Sequence, residues 1–447
     1  MKATLLPVHE RLQGLAEIDR GLGARQATLE ANRCLMCENA PCNQGCPAGI
    51  NVRGFIRKIR FGEYRGGVRL LREENILAGV CGRVCPTESL CEKACRSQAL
   101  TDPIRIGSLQ RFLTDWEISV GRRPFDLGPA DRQRVAVVGA GPAGLAAAAR
   151  LRQLGHPVTI LEAQGYAGGA LVSAIPRYKL PREVVDYEVD LIRAMGVEIR
   201  LNSPLDRPPQ ELLGQGYGAV LLATGLQASY TLGIEGEDLE GVYTALDVLR
   251  VANGLQPAKP VKIGQHVVVI GGGSAAVNSA CCALRLGAQD VNLTSRRTPT
   301  DMDAFEKDKA QAFEEGVQFN SCVRPVRIRG ENGHVTALEG VRVQWKVPGR
   351  WTRDNVEDVP GSEVVLPADT VILAIGQRPA QALAHCFSGL KTAANGCLVV
   401  ESGQYATSQP GVFAAGDILA GASRRTVVQS IAEGKAAALA IHRYLSE

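Results

Sequence analysis

Apolar strand-like runs alternate with helical periods along the chain from Arg134 onward. This alternation is typical of βαβ units in a doubly wound parallel sheet. The pattern starts twice: residues 134–163 contain a strand, a Gly-rich turn, an Ala-rich helix and a second strand, and residues 266–297 repeat that order. The two copies predict two nucleotide-binding units.

Shorter apolar strands that end in Gly or Asp lie between and after these copies, at 219–225, 370–376 and 411–417. A last amphipathic helix starts at Thr426. Residues 1 to about 125 contain no Gly-rich nucleotide turn, and the Gly- and Pro-containing stretch 120–130 is typical of a linker.

Composition narrows the class of protein. The 447 residues are 45% hydrophobic and 21% charged, which indicates a globular chain of about three domains. We find no apolar run long enough for a transmembrane helix and no signal peptide, so we expect a cytoplasmic protein. A net charge of +4 does not indicate a nucleic-acid partner.

The first Gly-rich turn has a complete dinucleotide signature. Gly139, Gly141 and Gly144 follow an apolar strand and open a helix, so they allow a tight turn, a close approach to pyrophosphate and helix–strand packing, respectively. Glu162 ends the next strand, where its carboxylate can accept hydrogen bonds from ribose hydroxyls. A structural loop is the alternative interpretation.

The second turn has Gly271, Gly273 and Ala276 at these positions, and its second strand ends in Arg296 and Arg297 instead of an acid. Guanidinium groups pair with a 2′-phosphate, which favours NADPH over NADH. A solvated arginine pair is the alternative. One acidic and one basic site together predict FAD in the first unit and NADPH in the second.

Two residues near the end of the chain support the FAD prediction. Asp417 follows a strand at a position suited to the ribityl chain of FAD. Thr426 begins the final helix, whose positive end favours a negatively charged flavin ring.

Eight of the 13 cysteines lie between Cys34 and Cys95. Short spacings and Cys-Pro steps favour [4Fe–4S] clusters, although structural zinc and unliganded thiols are alternatives. Arginines and lysines crowd this region, either offsetting cluster charge or forming a solvated face. The nucleotide-binding units lack the Cys-x-x-Cys pair of a thioredoxin reductase. The two cysteine groups are Cys34, Cys37, Cys42 and Cys46, then Cys81, Cys85, Cys91 and Cys95.

With these motifs the chain resembles, from about residue 31 to 444, the flavin-bearing electron-input module of dihydropyrimidine dehydrogenases, glutamate synthase small subunits and ferredoxin:NADP transhydrogenase subunits. Further matching segments are 168–169, 175–181, 223–225, 416–417 and 433–435. The spacing Cys85-x5-Cys91 and the residue Gln110 are most similar to the small subunit of bacterial dihydropyrimidine dehydrogenase.

The resemblance implies an α/β fold with an N-terminal α-helical iron–sulfur domain and two Rossmann-like domains of the glutathione-reductase type, the second inserted in the first. The implied domains are 1–125 for two [4Fe–4S] clusters, 132–258 with 372–447 for FAD, and 259–371 for NAD(P)H.

The resemblance also implies the ligands. One cluster is expected on Cys34, Cys37, Cys42 and Cys95, the other on Cys46, Cys85, Cys91 and Gln110. Cysteine counting instead offers Cys81 as the eighth ligand, and the question stays open. The implied FAD contacts are Ala140, Gly141, Pro142, Ala143, Gly144, Glu162, Gly168, Gly169, Lys179, Thr224, Gly225, Gly416, Asp417 and Thr426. The implied NADPH contacts are Gly272, Gly273, Ser274, Ala275, Arg296, Arg297, Ala374 and Gly376.

Two departures from the family pattern bear on these contacts. Lys179 stands where the family often has Arg, which keeps the charge but loses the fork geometry. Asp303 stands where an NADPH-binding relative has a basic residue, which favours NADH, whereas relatives that prefer NADH carry an acid at the position of Arg297. The resemblance therefore favours NADPH, with NADH as the alternative.

The resemblance implies an NAD(P)H-dependent oxidoreductase subunit that passes single electrons from FAD through the clusters. We expect the acceptor to be an FMN-containing β/α-barrel partner that reduces uracil or thymine. Hydride transfer needs no general acid or base, so no catalytic residue is predicted. Glutamate synthase-like and transhydrogenase-like acceptors are alternatives, as is a non-enzymatic nucleotide sensor with structural zinc.

Overall fold

The computed structural model describes residues 5–121, 127–347, 349, 352, 355–421 and 425–447. Part of the predicted linker at 120–130 therefore lies outside the described residues. The N-terminal unit is helical. Its helices are α1 Val8–Arg11, α2 Ala24–Asn32, α3 Pro41–Gln44, α4 Val52–Arg60, α5 Tyr64–Glu74, α6 Ala78–Val84 and α7 Ile106–Val120.

Helix α4 shows how the sequence produces these elements. The Gly54 backbone N–H donates to the Asn51 side chain at 2.9 Å, which caps the helix N-terminus. Val52, Phe55 and Ile59 recur at helical spacing and are at most 2% exposed, so one face of α4 packs into the core of the unit.

The remaining described residues alternate strands and helices. None of the described helices is long and apolar enough to cross a membrane. In chain order the elements are β1 Val135–Val138, α8 Pro142–Gln153, β2 Val158–Leu161, α9 Ala170–Ser173, α10 Arg182–Ala194, β3 Glu198–Arg200, α11 Gln210–Gly214, β4 Ala219–Leu222, β5 Ala228–Ser229, β6 Val242–Thr244, α12 Ala245–Ala252, β7 His266–Ile270, α13 Ser274–Arg285, β8 Asp290–Ser295, α14 Glu306–Glu314, β9 Gln318–Ser321, β10 Val323–Glu331, β11 His334–Trp345, β12 Val356–Pro367, β13 Thr370–Leu373, β14 Gln377–Arg378, β15 Val412–Ala414 and α15 Val427–Tyr444.

Two five-stranded parallel sheets organise these elements. The first has the order β15-β4-β1-β2-β3 and the second β6-β13-β7-β8-β9. The chain leaves the first sheet after β4 and returns to it at β15, which confirms the predicted insertion of one Rossmann-like unit in the other. Strands β6 and β13 both lie in the second sheet, so that sheet spans 242–373. The domain boundaries at 258/259 and 371/372 stay predictions.

A separate three-stranded antiparallel sheet, β10-β11-β12, was not predicted. Its hairpin turns at Asn332 and Gly333, whose φ angles are +51° and +84°. An Asn-Gly pair between apolar-polar alternations is a strong sequence signal for such a two-residue turn. Trp345 at the end of β11 donates its indole N–H to the Arg296 carbonyl at 3.0 Å, which places this sheet beside the second nucleotide unit.

A buried ion network joins the helical unit to the first sheet's domain. The Arg72 guanidinium on α5 binds Glu117 on α7 and Glu188 on α10, and all three side chains are at most 1% exposed. Glu188 also accepts from the backbone N–H groups of Gly79 and Val80, at 2.6 and 3.2 Å. The N-terminus of α6, the helix that carries Cys81 and leads into Cys85, is thereby held against the first nucleotide domain.

Candidate functional site

The turn after β1 has the shape that a dinucleotide pyrophosphate requires. Gly139 has a φ of +106°, and a Cβ on Gly144 would lie 2.0 Å from the Gly139 carbonyl oxygen. A Cβ on Gly141 would instead meet no atom within 4 Å. Open space therefore lies in front of the second glycine, where Pro142 begins α8 and the helix N-terminus favours an anion.

Glu162 lies at the end of β2, where it is buried against this turn. Its Oε2 accepts from the Ala140 N–H at 2.7 Å, and its Oε1 accepts from the Gln164 N–H at 2.9 Å. Burial raises the pKa of Glu162, and these N–H groups oppose the shift because they stabilise the carboxylate. These two backbone N–H groups thus orient the Glu162 carboxylate beside the Gly-rich turn.

One cavity of about 1020 Å³ brings most of the predicted FAD residues together. Its size exceeds the usual range of about 300–1,000 Å³ for ligand pockets and suits a dinucleotide. Ala140, Gly144 and Gly168 lie in the same turns without lining it. The predicted residues that line it are Gly141, Pro142, Ala143, Glu162, Gly169, Lys179, Thr224, Gly225, Gly416, Asp417 and Thr426, together with Ser274 from the NADPH set.

Polar groups in this cavity fit a flavin nucleotide. Thr224 Oγ1 is buried and has no hydrogen-bond partner in the protein. Burial raises the pKa of Asp417, whose Oδ1 accepts from the Ser430 hydroxyl at 3.3 Å. Thr426 caps α15 by accepting from the Gln429 N–H at 3.2 Å. An unpartnered hydroxyl, a carboxylate acceptor and a helix N-terminus are the donors and acceptors that FAD needs.

The second Gly-rich turn repeats this geometry. A Cβ on Gly271 would lie 2.3 Å from the Ala374 carbonyl oxygen, whereas a Cβ on Gly273 would meet nothing within 4 Å. The structure thus brings Ala374, which follows β13, against the turn after β7, as the resemblance implied. Residues 272–275 lie at the start of α13, and Gly376 follows Ala374 with a φ of +117°.

The predicted 2′-phosphate site lies at the end of β8, outside the cavity. The Arg297 guanidinium forms an ion pair with Asp303 at 2.7 Å, and the Asp303 side chain is 77% exposed. The Arg297 backbone N–H donates to the Ser295 hydroxyl at 3.1 Å. Asp303 therefore pairs with the Arg297 guanidinium, which the NADPH prediction assigns to the 2′-phosphate.

Lys179 bridges the two nucleotide units. Its Nζ lies 2.7 Å from the Asn278 Oδ1 on α13 and 2.7 Å from an Asp308 carboxylate oxygen on α14. All three residues line the cavity. Neither Asn278 nor Asp308 was predicted, because nothing in their local sequence marks a contact with a residue more than 90 positions away.

The structure brings Cys34, Cys37, Cys42 and Cys95 together as the resemblance implied. Burial raises the pKa of Cys34, and the nearby Cys95 and Cys37 thiols raise it further. Burial also raises the pKa of Cys42 to about 11, with Cys34 and Cys95 adding to the effect. The segment that carries Cys34, Cys37 and Cys42 contains a tight turn at Met36, whose φ is +51°. The two cysteine groups of the sequence thus contribute to one site.

The second group comprises Cys46, Cys85 and Cys91, with Cys81 beside them. Burial raises the pKa of Cys85, and the thiols of Cys81, Cys91 and Cys46 raise it further. Gln110 on α7 is buried and donates its side-chain N–H to the Ala78 carbonyl at 2.7 Å, which leaves the amide oxygen as the ligand end. Cys81 thus lies near this group, and Gln110 lies against the start of α6, the helix that leads into Cys85.

The donor set fits iron–sulfur clusters. Eight thiols, of which Cys81, Cys91 and Cys95 are buried and the other five partly buried, lie in two groups, and clusters of this type are held by thiolates. In the described part of the chain no three His, Cys or carboxylate side chains converge on a single metal ion. A cubane cluster does not need such convergence, because each ligand binds a different iron. Asn75 is buried beside Cys81, where its side-chain amide opposes the rise in the Cys81 thiol pKa that burial causes.

The cavity reaches the second cysteine group but not the first. Of the 13 cysteines, all of which are described, only Cys85 lines it. Arg83 and Arg111 of the helical unit also line it, and both pair with Glu17 and Asp115. The sequence marked Arg83 only as part of a basic region and assigned no role to Arg111. The second group is therefore adjacent to the predicted flavin site and the first group is more remote.

Comparisons with known proteins match this architecture. Residues 11–122 match the family described as dihydropyrimidine dehydrogenase domain II, 4Fe-4S cluster, and residues 133–437 match pyridine nucleotide-disulphide oxidoreductase. In the solved structure of Mycobacterium tuberculosis FprA in complex with NADPH, 85% of the chain is covered by 70% of this one, with 19% identity and a TM-score of 0.58. That likeness shows the fold of the nucleotide-binding part.

Three curated relatives are similar over almost the whole chain. The NADP(+)-dependent formate dehydrogenase subunit beta of Moorella thermoacetica is 37% identical over 96% of this chain, which spans 63% of that relative. The NAD-dependent dihydropyrimidine dehydrogenase subunit PreT of Escherichia coli K12 is 36% identical, covering 96% of this chain and 97% of PreT. The glutamate synthase [NADPH] small chain of the same organism is 34% identical, covering 98% and 96%.

These matches settle the cofactor classes as FAD, NAD(P)H and [4Fe–4S]. They also agree with the Gly turns, the shared cavity and the thiol groups described above. The chain belongs to the family of NAD(P)H-dependent flavin and iron–sulfur oxidoreductase subunits that includes PreT and the glutamate synthase small chain.

Proposed function

We propose that this chain is the electron-input subunit of a cytoplasmic hetero-oligomer. It takes hydride from NADPH and delivers single electrons to an FMN-containing β/α-barrel partner that reduces uracil or thymine to the 5,6-dihydropyrimidine. When bound, FAD accepts hydride and releases electrons one at a time, and [4Fe–4S] clusters accept single electrons.

The observation that carries this proposal is the shared cavity. Lys179 and Ser274 from the two nucleotide units and Cys85 from the cysteine region line one space. A protein that only sensed nucleotides has no need to place a cysteine of a metal group against a flavin site. An electron relay requires that adjacency.

The chain's own residues bind and orient the cofactors. Gly141 and Pro142 present the open helix N-terminus to pyrophosphate, and Asp417 accepts hydrogen bonds from the ribityl chain. The N-terminus of α15 at Thr426 favours negative charge on the flavin. Lys179, through Asn278 and Asp308, holds the second unit against the first and would thereby fix the position of a coenzyme bound in the second unit relative to a flavin bound in the first. The protein thus contributes the positions of the cofactors and the electrostatic field around them.

For the clusters we propose two sets of ligands, as the resemblance implied: Cys34, Cys37, Cys42 and Cys95, then Cys46, Cys85, Cys91 and Gln110. The anchored amide of Gln110 supports its assignment over Cys81. The variants Q110A and C81S distinguish between Gln110 and Cys81 as the remaining ligand of the second cluster. We expect Q110A to change the electron paramagnetic resonance signal of one cluster while C81S retains both signals, and the reverse result would assign Cys81.

The function is tested on the native complex. Anaerobically purified protein is expected to show flavin peaks over a broad cluster absorbance, with about eight irons per chain if both clusters are present. Together with a barrel subunit it is expected to reduce uracil or thymine with NADPH in preference to NADH. A colourless, iron-free protein would overturn the relay itself.

A different acceptor is the alternative, because glutamate synthase and formate dehydrogenase subunits are similar to this chain at nearly the same identity as PreT. Reduction of 2-oxoglutarate with glutamine, or of ferredoxin, without pyrimidine turnover would replace the proposed acceptor and leave the relay in place.

A further inference from the structure

Apart from Val120 at the end of α7, four large apolar side chains are exposed among the described residues of the helical unit: Leu29 at 44%, Leu35 at 49%, Phe61 at 68% and Leu100 at 73%. Single exposed apolar residues are ordinary, but a contiguous group marks an interaction surface. Leu35 lies between Cys34 and Cys37, so the group surrounds the first set of thiols.

Two hydrogen bonds place these residues around the same end of α2. Arg60 Nε donates to Asn32 Oδ1 at 3.0 Å, which brings Phe61, next to Arg60, against the end of α2. Arg33 Nη2 donates to Thr101 Oγ1 at 3.0 Å, which brings Leu100 to the same end of α2. Leu29 lies one turn before Asn32 on that helix.

The surface around this apolar group is basic. Arg53, Arg57 and Arg60 recur at i, i+4 and i+7 on α4, and all three are exposed. The Arg53 guanidinium also donates to the Cys37 carbonyl at 3.1 Å, so this row runs past the first thiol set. Glu38 is an exposed carboxylate beside it. An apolar centre with arginines around it is the usual composition of a protein interface.

The position of the flavin cavity decides what this surface contacts. Cys85 of the second group lines the cavity and the first group does not. In the proposed relay, electrons that entered at a flavin in this cavity would leave from a cluster held by the first group, and the surface over that group is the exposed face of α2 and α4.

We propose that this face, the docking face, binds the acceptor-bearing subunit. It is defined by Leu29, Leu35, Phe61 and Leu100 with Arg53, Arg57 and Arg60. The proposal rests on the proposed function and goes further, because it requires the partner to present an apolar patch bordered by carboxylates. Such a contact brings the acceptor cofactor to the first cluster without rearranging the nucleotide units.

The test uses the anaerobic holoprotein and the FMN-containing barrel subunit. Variants F61E and L100E insert charge in the apolar centre, and R57E/R60E reverses charge on α4. Each is expected to weaken binding at least about tenfold, and R57E/R60E is expected to remove most of its salt dependence. F313E is the matched control, because Phe313 on α14 is 74% exposed and lies on the second nucleotide domain.

Flavin bleaching by NADPH and the iron content are expected to stay unchanged in all four variants, which shows that they are folded and loaded. If F61E, L100E and R57E/R60E all bind the barrel subunit as tightly as the wild type does, only the docking face is overturned. Loss of a self-associated form in F61E, without any effect on the barrel subunit, assigns the face to a second copy of this chain and also overturns it. If the wild-type chain forms no complex with the barrel subunit, the proposed partner and the docking face are both overturned.

Discussion

Arg72 and Glu188 form an ion pair with side chains that are 1% and 0% exposed, and it joins the cysteine-bearing helices to the first nucleotide domain. We expect E188A to lower the free energy of unfolding by about 3–5 kcal/mol, because one carboxylate is removed from a buried guanidinium. The Gly79 and Val80 N–H groups lose their acceptor as well. Urea titration of the holoprotein, followed by cluster absorbance, measures the loss.

The control is E183A, an exposed residue on the same helix, and a change below about 0.5 kcal/mol is expected. If E188A were as stable as E183A, the network would not hold the two units together.

Gly141 is expected to be required for FAD and not for folding. A Cβ there enters open space that the pyrophosphate would fill, whereas no protein atom lies within 4 Å. G141A should therefore lose most of its flavin while the apoprotein melts within a few degrees of the wild type. G273A, the equivalent change in the second turn, should keep FAD and raise the KM for NADPH. A fully flavinylated G141A would contradict the assignment of the first site.

Coenzyme preference is expected to respond to Asp303. D303N releases the Arg297 guanidinium for a 2′-phosphate, so the ratio of kcat/KM for NADPH over NADH should rise about tenfold, equivalent to about 1.4 kcal/mol. D290N, at the opposite end of β8, should leave the ratio unchanged. An unchanged ratio in D303N would show that Arg297 does not contact the coenzyme.

Lys179 is expected to act through the second nucleotide unit. K179Q removes the ion pair to Asp308, so the rate of flavin bleaching by NADPH in anaerobic stopped flow should fall about tenfold with FAD content retained. D308N should have a similar effect, and the double variant should be no slower than either single variant. Additive losses, or loss of FAD from K179Q, would place Lys179 on the flavin instead.

Stability is expected to fall in mild acid because of His156. Its Nδ1 lies 2.9 Å from the Gln133 carbonyl and its Nε2 2.9 Å from His442 Nδ1, so the neutral ring donates to the first and accepts from the second. Burial lowers the pKa of His156, and His442 and Arg132 lower it further. The unfolded state therefore binds the proton first as pH falls below the ordinary value of 6.5.

The folded state should lose stability as pH falls below about 6.5, the ordinary pKa of histidine, and H156Q should flatten this part of the profile. Thermal melting at several pH values measures the effect. H9Q, at an exposed histidine, should follow the wild-type profile. Parallel profiles for H156Q and the wild type would contradict the role of His156.

Local sequence predicted the elements that carry their own signals. The two Gly turns, the acid at Glu162 and the start of α15 at Thr426 depend on neighbours within a few positions, because turns, caps and short strands are stabilised by local contacts. The hairpin at Asn332 was equally local and was missed because its Asn-Gly signal was not used.

Tertiary structure alone decided how these parts meet. The contacts of Lys179 with Asn278, Arg72 with Glu188 and Lys435 with Glu74 join residues 99, 116 and 361 positions apart. Packing of whole domains creates such contacts, and no local pattern encodes them. The same packing placed Cys85 against the flavin cavity and left the first thiol set beneath an exposed face. The sequence determined which cofactor chemistry this chain supports, whereas the assembly of its domains decided which cysteine group lies beside the shared cavity.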